Sequence, residues 1–304
     1  LTEIISDAGK GEINFLYVMG ENPVISDPDS KAVSDSLSKV DFLVVQDIFM
    51  TETAALADVV IPASSFAEKD GTFTNTERRV QRINKIIDSP SKDVLPDWAI
   101  INRIAELCGT EWNYKTHLDI FKEMREVMEI YSHIDFQNSE NKEYFWPKDE
   151  FGESSKRLYQ NKFNFPDGKA KLTFMGLPKS LYAKSKEYPF LLIIGRLYEH
   201  YHTGTMTRKS EGIEALQPYS KLQINPKDAL RLKLKSDDWV ILKSEVGEIK
   251  TRVLISLEVK PSNCWISFHF KESLANALTS KKNLDPTSKM ASLKIVPVNI
   301  IPDR

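Results

Sequence analysis

The sequence predicts a parallel α/β region followed by a small β-barrel. Three observations predict this order. Continuous apolar runs alternate with amphipathic segments through the first hundred residues. Short strands with turn signals fill the last third. Between them runs a polar stretch, from about Ser132 to Asp167, broken by Pro147, Gly152 and Pro166 and lacking any sustained period. Continuous apolar strands joined by crossovers belong to parallel sheets covered on both faces. Many short strands punctuated by turns belong to small barrels.

In chain order, Ile13–Met19 (INFLYVM) reads as a buried strand that stops at Gly20-Glu21-Asn22-Pro23. Ser30–Ser38 is amphipathic, with Ala32, Val33 and Leu37 on one side. Asp41–Ile48 is a second strand, Thr51–Leu56 one or two helical turns, and Ala57–Ala63 a third strand closed by Pro62. Asp97–Cys108 predicts a helix, with Asp97 placed to cap it and Gly109 placed for a left-handed stop. A further amphipathic helix is expected over Leu118–Tyr131. Beyond the polar stretch, Lys169–Phe174 and Pro189–Gly195 read as strands. Lys221–Ile224 is a strand entering a helix at Asn225-Pro226 that ends near Leu232. Trp239–Ser244 and Glu248–Ile255 flank Val246-Gly247 as a hairpin, and Cys264–Phe270 is one more strand. The expected domains are 1–131, a linker 132–168, and 169–304.

The chain has 304 residues, room for about two domains at ~100–200 residues each. Lys plus Arg number 41 against 43 Asp plus Glu, so nothing in the charge points to nucleic acid or an anionic membrane. No apolar run approaches the ~20 residues of a spanning helix, so direct membrane insertion is not expected. The opening Leu1-Thr2-Glu3 has neither an initiator Met nor a basic-then-apolar leader, as in a processed chain or a piece of a longer one. Cys108 and Cys264 are far apart and form no C-x-x-C pair. They read as two buried free thiols in a reducing compartment.

Four patches carry candidate chemistry. The first lies at the strand ends, Gly20 to Ser26 and Gln46 to Thr51. In open α/β sheets ligands bind outside the carboxyl ends of strands. Asn22 and Gln46 both donate and accept, Asp47 and Asp97 accept paired N–H groups, and Gly20 permits close approach. Ordinary turn chemistry is the competing explanation. There is no G-x-G-x-x-G, which argues against a simple nicotinamide site. The second patch, Gly195–Arg208 (GRLYEHYHTGTMTR), offers backbone N–H groups, hydroxyls and cations, a set suited to phosphate. His200 and His202 are two apart with no third ligand nearby, a poor metal site. The third is Asp70–Gln81, readable as a turn and a charged strand edge. The fourth is Phe268-His269-Phe270 with Asn276 and Lys294, each alone more easily structural.

Together these patches resemble one family. MGENP, then VVQDIFMTETAALADVVIPASSFAEKDGTFTNTERRVQ, then PDWAIINRIAELCG, is similar to the third domain of bis-pterin molybdenum oxidoreductases, nearest the formate dehydrogenase catalytic (alpha) subunit. HYHTGTMTR, INPKDALRL, the Gly247 hairpin, WISFHF and NALTSKKNLDP resemble that family's C-terminal dinucleotide-binding domain. The resemblance runs from about Gly11 to Ile301. It implies a Rossmann-like α/β domain followed by a double-psi β-barrel. It also implies molybdopterin guanine dinucleotide, two per site, with molybdenum or tungsten and a [4Fe–4S] cluster in an N-terminal half outside this chain.

By similarity, Gly20, Asn22, Ser26, Gln46, Asp47 and Thr51 lie along one guanosine diphosphate arm. Asp97 pairs with its guanine, and Gly71 lets the chain pass close. Arg196, His200 and His202 sit near the other pterin, Thr203 and Thr205 hold phosphate and pterin edge, and Asn276 and Lys294 complete that pocket. Phe268 stands where the family often has Tyr, which removes a hydroxyl. No catalytic residue or metal ligand is assigned to this chain. The implied activity is formate oxidation to CO2 or the reverse, with electrons leaving through iron–sulfur subunits. The implied partner is the N-terminal half, and the default location is the cytoplasm, or the periplasm if an export signal precedes the chain. A nitrate reductase-type member of the superfamily and a pterin-free scaffold subunit are the competing expectations.

Overall fold

The computed structural model describes residues 1–136, 143–148, 152, 154–174, 184–282 and 284–303. Parts of the expected linker, 137–142, 149–151 and 153, lie outside the described residues. Two compact units form: Leu1–Ile61 with Pro178–Arg304, and Pro62–Leu177.

The first unit opens with α1 (Thr2–Lys10), which buries Ile5 and Ala8 and stops at Gly11, φ 78°. Then come β1 (Phe15–Met19), α2 (Pro23–Ser26), α3 (Ser30–Leu37), β2 (Phe42–Asp47), a 3-10 turn at Ala54–Leu56, and β3 (Val59–Pro62). β1 and β2 pair in parallel from Phe15 opposite Phe42 to Met19 opposite Gln46. Asp29 begins α3 by accepting the Ala32 N–H at 3.3 Å. Val18, Leu43 and Val45 pack with Ile5, Ala8, Val33 and Leu37, so helices α1 and α3 share one apolar core with the sheet. Burial at this level contributes about 1.5–3 kcal/mol per large aliphatic side chain.

In the second unit, β4 (Gly71–Thr74) and β5 (Arg79–Ile83) form an antiparallel hairpin. α4 (Asp97–Leu107), α5 (His117–Val127) and β6 (Tyr144–Phe145) follow, with Phe145 opposite Arg79 on β5. Val80, Phe121, Ile134 and Tyr144 make its core. Asp97 does not cap α4 as expected: Pro96 holds the cap position, and no side chain caps it. The Asp97 carboxylate instead pairs with the Lys69 ammonium, while its place in the first turn still favours the positive helix end. Gly109 is left-handed at φ 88°.

The chain returns to the first unit through β7 (Phe190–Gly195), α6 (Glu211–Leu216), β8 (Lys221–Ile224), α7 (Pro226–Leu232), β9 (Trp239–Lys243), β10 (Glu248–Ile255), β11 (Asn263–Ser267) and β12 (Val296–Pro302). These six strands close as β10-β8-β11-β7-β12-β9. The β8–β10 and β7–β11 pairs are parallel and the other four antiparallel. Closure removes every free edge, and the alternating inward residues Phe190, Leu192 and Ile194 fill the interior with Leu222, Leu242, Val253 and Ile266. The six-stranded mixed barrel after a parallel α/β region is the architecture expected.

Three local expectations need correction. Lys169–Phe174 is not a strand; Leu172 and Phe174 are almost fully exposed, so no core covers that alternation. The strand from Cys264 ends at Ser267, after which the chain turns through Lys271–Ser273 and Ala275–Leu278. Only Cys264 is buried, where desolvation pushes its thiol well up, whereas Cys108 is exposed. No helix among the described residues is long and apolar enough to cross a membrane.

Candidate functional site

Strand ends and the loop after β7 meet in the first unit. Gly20, φ 64°, turns the chain at the tip of β1 and donates its N–H to the Gln46 carbonyl at 2.9 Å. Gln46 is fully buried, and its side-chain carbonyl accepts the Tyr17 hydroxyl. Asn22 braces the two tips. Its oxygen accepts from the Thr53 hydroxyl (2.7 Å) and N–H (3.2 Å), while its amide donates to Glu52 at 2.8 Å. Asp47 accepts the Phe49 N–H at 3.0 Å, Thr51 Oγ1 accepts the Ala54 N–H at 3.1 Å, and Ser26 Oγ donates to Asp27 at 3.0 Å. These groups shape the tips and hold the segment from Phe49 to Glu52 in place.

Opposite stands the loop from Arg196 to Arg208. His200 is buried and uses both ring nitrogens within the chain. Nε2–H donates to the Gln217 carbonyl at 2.7 Å, and Nδ1 accepts from the Thr207 hydroxyl at 3.1 Å, whose oxygen takes the Tyr201 N–H. His202 is left-handed, φ 49°, in a turn closed by the Gly204 N–H to the Tyr201 carbonyl at 2.9 Å. Thr203 and Thr205 hydroxyls touch at 2.9 Å. The Arg196 guanidinium lies over the Phe268 ring, 5.4 Å from its centroid.

Between tips and loop is a cleft of about 200 Å³. Thr51 forms one wall; Thr203, Gly204 and Thr205 form the other, with His269 behind them. Three cations, Arg208, Lys209 and Lys271, and two carboxylates, Glu52 and Glu272, line it. Arg208 is forked onto Glu214 (2.9 Å) and reaches Glu272 (2.8 Å); these bonds hold its guanidinium charged. Lys271 pairs with Glu52 at 3.2 Å across the cleft. Burial alone would raise the Glu52 carboxyl, but the Asn22 amide, its own backbone and Lys271 bring it below the usual carboxylate range. Among the described residues no group of three His, Cys, Asp or Glu side chains is placed to hold a metal.

The structure therefore gathers Thr51, Thr203 and Thr205 on one cleft and places Gly20, Asn22, Gln46 and Asp47 at the tips beside it. Asn276 joins the barrel to α2 and ends at Ile25 and Ser26: its amide donates to their carbonyls at 2.9 and 2.8 Å. Lys294 donates to the Ile194 carbonyl at 2.8 Å, at the end of β7. Gly71 and Asp97 belong to the second unit. Glu52, Lys271 and Glu272 were not singled out from sequence, and Arg208 entered only as the last residue of the Gly195–Arg208 patch. The run KE at 271–272 directly after the FHF motif was the one signal available.

Glu52 gives a measurable pH signature. Its lowered carboxyl contributes stability that is present above the unfolded value of 4.5 and disappears as pH falls through the folded value. Glu52→Gln is expected to lower stability by less than about 1 kcal/mol at pH 7, because the Lys271 partner is exposed. In denaturant titrations the gap between native chain and variant should close as pH falls below 4.5 through the lowered folded value. A gap that is constant with pH contradicts the assignment.

A chain with this fold and this cleft is of the kind that holds a phosphate-bearing cofactor at strand tips. The Molybdopterin oxidoreductase family profile matches residues 1–107, and the Molydopterin dinucleotide binding domain profile matches residues 190–297. The chain belongs to the molybdopterin oxidoreductase family. It is 44% identical, over 99% of its length, to the F420-dependent formate dehydrogenase subunit alpha of Methanocaldococcus jannaschii, of which it covers 45%. It is 39% identical, over 98% of its length, to the F420-dependent formate dehydrogenase 2 subunit alpha of Methanococcus maripaludis, of which it covers 44%. The chain thus spans under half the length of these relatives. Acetylene hydratase from Pelobacter acetylenicus shares its fold, with a TM-score of 0.80 and 17% identity over 99% of this chain and 46% of that one.

Two observations test the fit of a pterin dinucleotide. The Asn276 Oδ1 is buried without a hydrogen-bond partner among the described residues, an acceptor suited to a ligand N–H. The cleft beside Thr51, Thr203 and Thr205 combines three hydroxyls with the Arg208 and Lys271 cations, which pair with Glu272 and Glu52 on the same lining and suit phosphate where they exchange those partners. The residues present fit the group.

Proposed function

We propose that this chain forms a cofactor cradle of a formate dehydrogenase acting on formate or CO2. The observation that carries the reading is the cleft where strand tips and barrel loop bring hydroxyls and cations together. Identity to alpha subunits of formate dehydrogenases supports the substrate, and the word "subunit" in their names supports further polypeptides. In this reading the N-terminal half of the same catalytic subunit supplies the metal ligand and a [4Fe–4S] cluster, and iron–sulfur subunits take the electrons.

When bound, the molybdenum- or tungsten-pterin group supplies two-electron redox chemistry at the metal. The chain's own residues bind and orient. Thr51 donates to the phosphates of one nucleotide arm and Thr203 and Thr205 to those of the other cofactor molecule, with the Arg208 and Lys271 cations beside them. Arg196, held over Phe268, presents a cation beside the pterin. Gly20, Asn22, Ser26, Gln46 and Asp47 fix the tip along which a nucleotide arm lies. Asn276 and Lys294 hold the α2 end and the β7 end of the pocket, while His200 and His202 shape its loop. Gly71 and Asp97 are candidates for the guanine end of a nucleotide arm, in keeping with the resemblance.

The test is metal analysis, acid release of GMP and denaturing mass spectrometry on the protein isolated from its native source. The expected result is molybdenum or tungsten, GMP in twofold ratio to this chain, polypeptide that carries the [4Fe–4S] cluster, and formate-dependent dye reduction. Material with neither metal nor GMP overturns the reading.

A further inference from the structure

His269 plays no part in that account, yet both of its ring nitrogens are engaged beside the cleft. It is fully buried, between Phe268 and Phe270, just past the end of β11. Its ring touches both ends of the loop that precedes Thr203. Nε2 lies 2.8 Å from the Leu197 N–H, and Nδ1 is bonded to the His202 carbonyl. A backbone N–H can only donate, so Nε2 is bare. A carbonyl can only accept, so Nδ1 carries the proton. One neutral tautomer satisfies both contacts, and no other protonation state does. The His269 carbonyl also packs against Gly204: a Cβ there would fall 2.7 Å from it. The loop from Leu197 to Gly204 is therefore wound around this one residue.

We infer that His269 is the positioning residue of the Arg196–Thr205 loop, and that adding a proton to its Nε2 unwinds that loop and opens the cleft wall. A second proton would set N–H against N–H at Leu197. His202, left-handed without being glycine, would lose the carbonyl contact that holds it there. Groups of both signs stand near the ring, for Glu52 and Glu272 line the same cleft. Arg196, His200 and His202 face it from the loop after β7, with the His200 ring 5.8 Å away, and Arg208 and Lys271 share the cleft wall with it. Burial is the largest cause that holds its imidazole below the usual histidine value, with the nearby Arg196 guanidinium adding to it, against the bond to the His202 carbonyl, which raises it. With a lowered folded value, the ordered loop is present above the unfolded value of 6.5 and lost as pH falls through the folded one. The loop's consequence for the cofactor rests on the reading above, but the positioning does not.

Hydrogen exchange followed by mass spectrometry tests both, on this chain together with the polypeptides that co-purify with it. The readout is the peptide covering Arg196–Thr205, corrected for the chemical exchange rate, from pH 8 to pH 5. In the native protein its protection is expected to fall at least tenfold across this range, while peptides from β8 and β9 stay constant. His269→Asn keeps a donor near the Nδ1 position and cannot titrate, so it should show reduced protection that is flat with pH. His269→Phe should lose protection at every pH. Native protection that does not change with pH, or a Phe variant as protected as the native chain, overturns the inference. If His269→Phe fails to fold, the native and Asn profiles decide it. GMP content measured on the same samples separates the two readings. A protected, pH-sensitive loop without GMP removes the cofactor reading and leaves His269 as the positioning residue.

Discussion

Gly204→Ala is expected to remove pterin dinucleotide from the protein and to destabilise it by about 2–5 kcal/mol. Two independent terms give this size. Gly204 sits at φ 77°, where a side chain costs about 1–2 kcal/mol. The new methyl would also lie 2.7 Å from the His269 carbonyl oxygen and 2.9 Å from Arg208 Cδ. The first neighbour is backbone and cannot swing away; such overlap costs about 1–3 kcal/mol. Relief requires the loop to move off His269, and that displaces Thr203 and Thr205, which line the cleft. The bonds from Gly204 to Tyr201 and from Arg208 to Gly204, both 2.9 Å, would be disturbed as well. Stability is read by urea unfolding and cofactor retention by GMP release. Gly212→Ala is the control: a Cβ there meets nothing within 4 Å, and its helix should gain slightly. A Gly204→Ala protein with native stability and full GMP would show that the loop does not need its close approach to His269.

Most of this architecture was legible, for reasons that differ by element. β1 and β2 were visible because each is an unbroken apolar run, the pattern of a parallel strand, although Phe15, Met19 and Phe42 are exposed rather than covered. The β9–β10 hairpin was visible because Gly247 punctuates two alternating strands; a Cβ there would lie 2.4 Å from the Ala277 carbonyl, so the glycine serves packing as well as the turn. β12 was missed since Pro297 and Pro302 argue against a strand. It nevertheless closes the barrel, with Val298 and Ile300 buried. Lys169–Phe174 failed in the opposite sense, because alternation marks a strand only where a core exists to bury one face. Within the site, sequence found groups that lie close along the chain: the tips, the threonines, the His200 loop. It could not find Lys271 paired with Glu52, or His269 spanning Leu197 and His202. Those contacts join residues from segments some 70 to 220 positions apart; the pairing of β7 with β11 in the barrel decides the His269 contacts, and the packing of the barrel against the parallel sheet decides the Lys271–Glu52 pair.

Asn276→Asp is expected to destabilise the first unit more than Asn276→Ala, by about 3–5 against 2–4 kcal/mol at pH 8. The Asn276 amide donates to the last two carbonyls of α2, Ile25 at 2.9 Å and Ser26 at 2.8 Å, and its own carbonyl accepts the Asp29 N–H at 3.1 Å. Alanine keeps the backbone bond but leaves two carbonyls without donors, each at about 1–3 kcal/mol when buried. Aspartate is worse, because a buried carboxylate would face two carbonyl oxygens. The introduced carboxyl therefore binds a proton more tightly in the folded state than in the unfolded chain. Its folded value is raised, so its penalty is absent below the unfolded value near 4 and grows as pH rises through the folded one. The two variants should consequently converge in urea unfolding near pH 4 and separate by pH 8. The native Oδ1, buried and unpartnered, adds a second readout. If a cofactor N–H fills it, the stabilisation that the cofactor gives the native protein should shrink in Asn276→Ala, measured as the difference in unfolding midpoint before and after cofactor removal. An equal difference in both proteins would assign Asn276 wholly to joining the barrel to α2, with no direct contact to the cofactor.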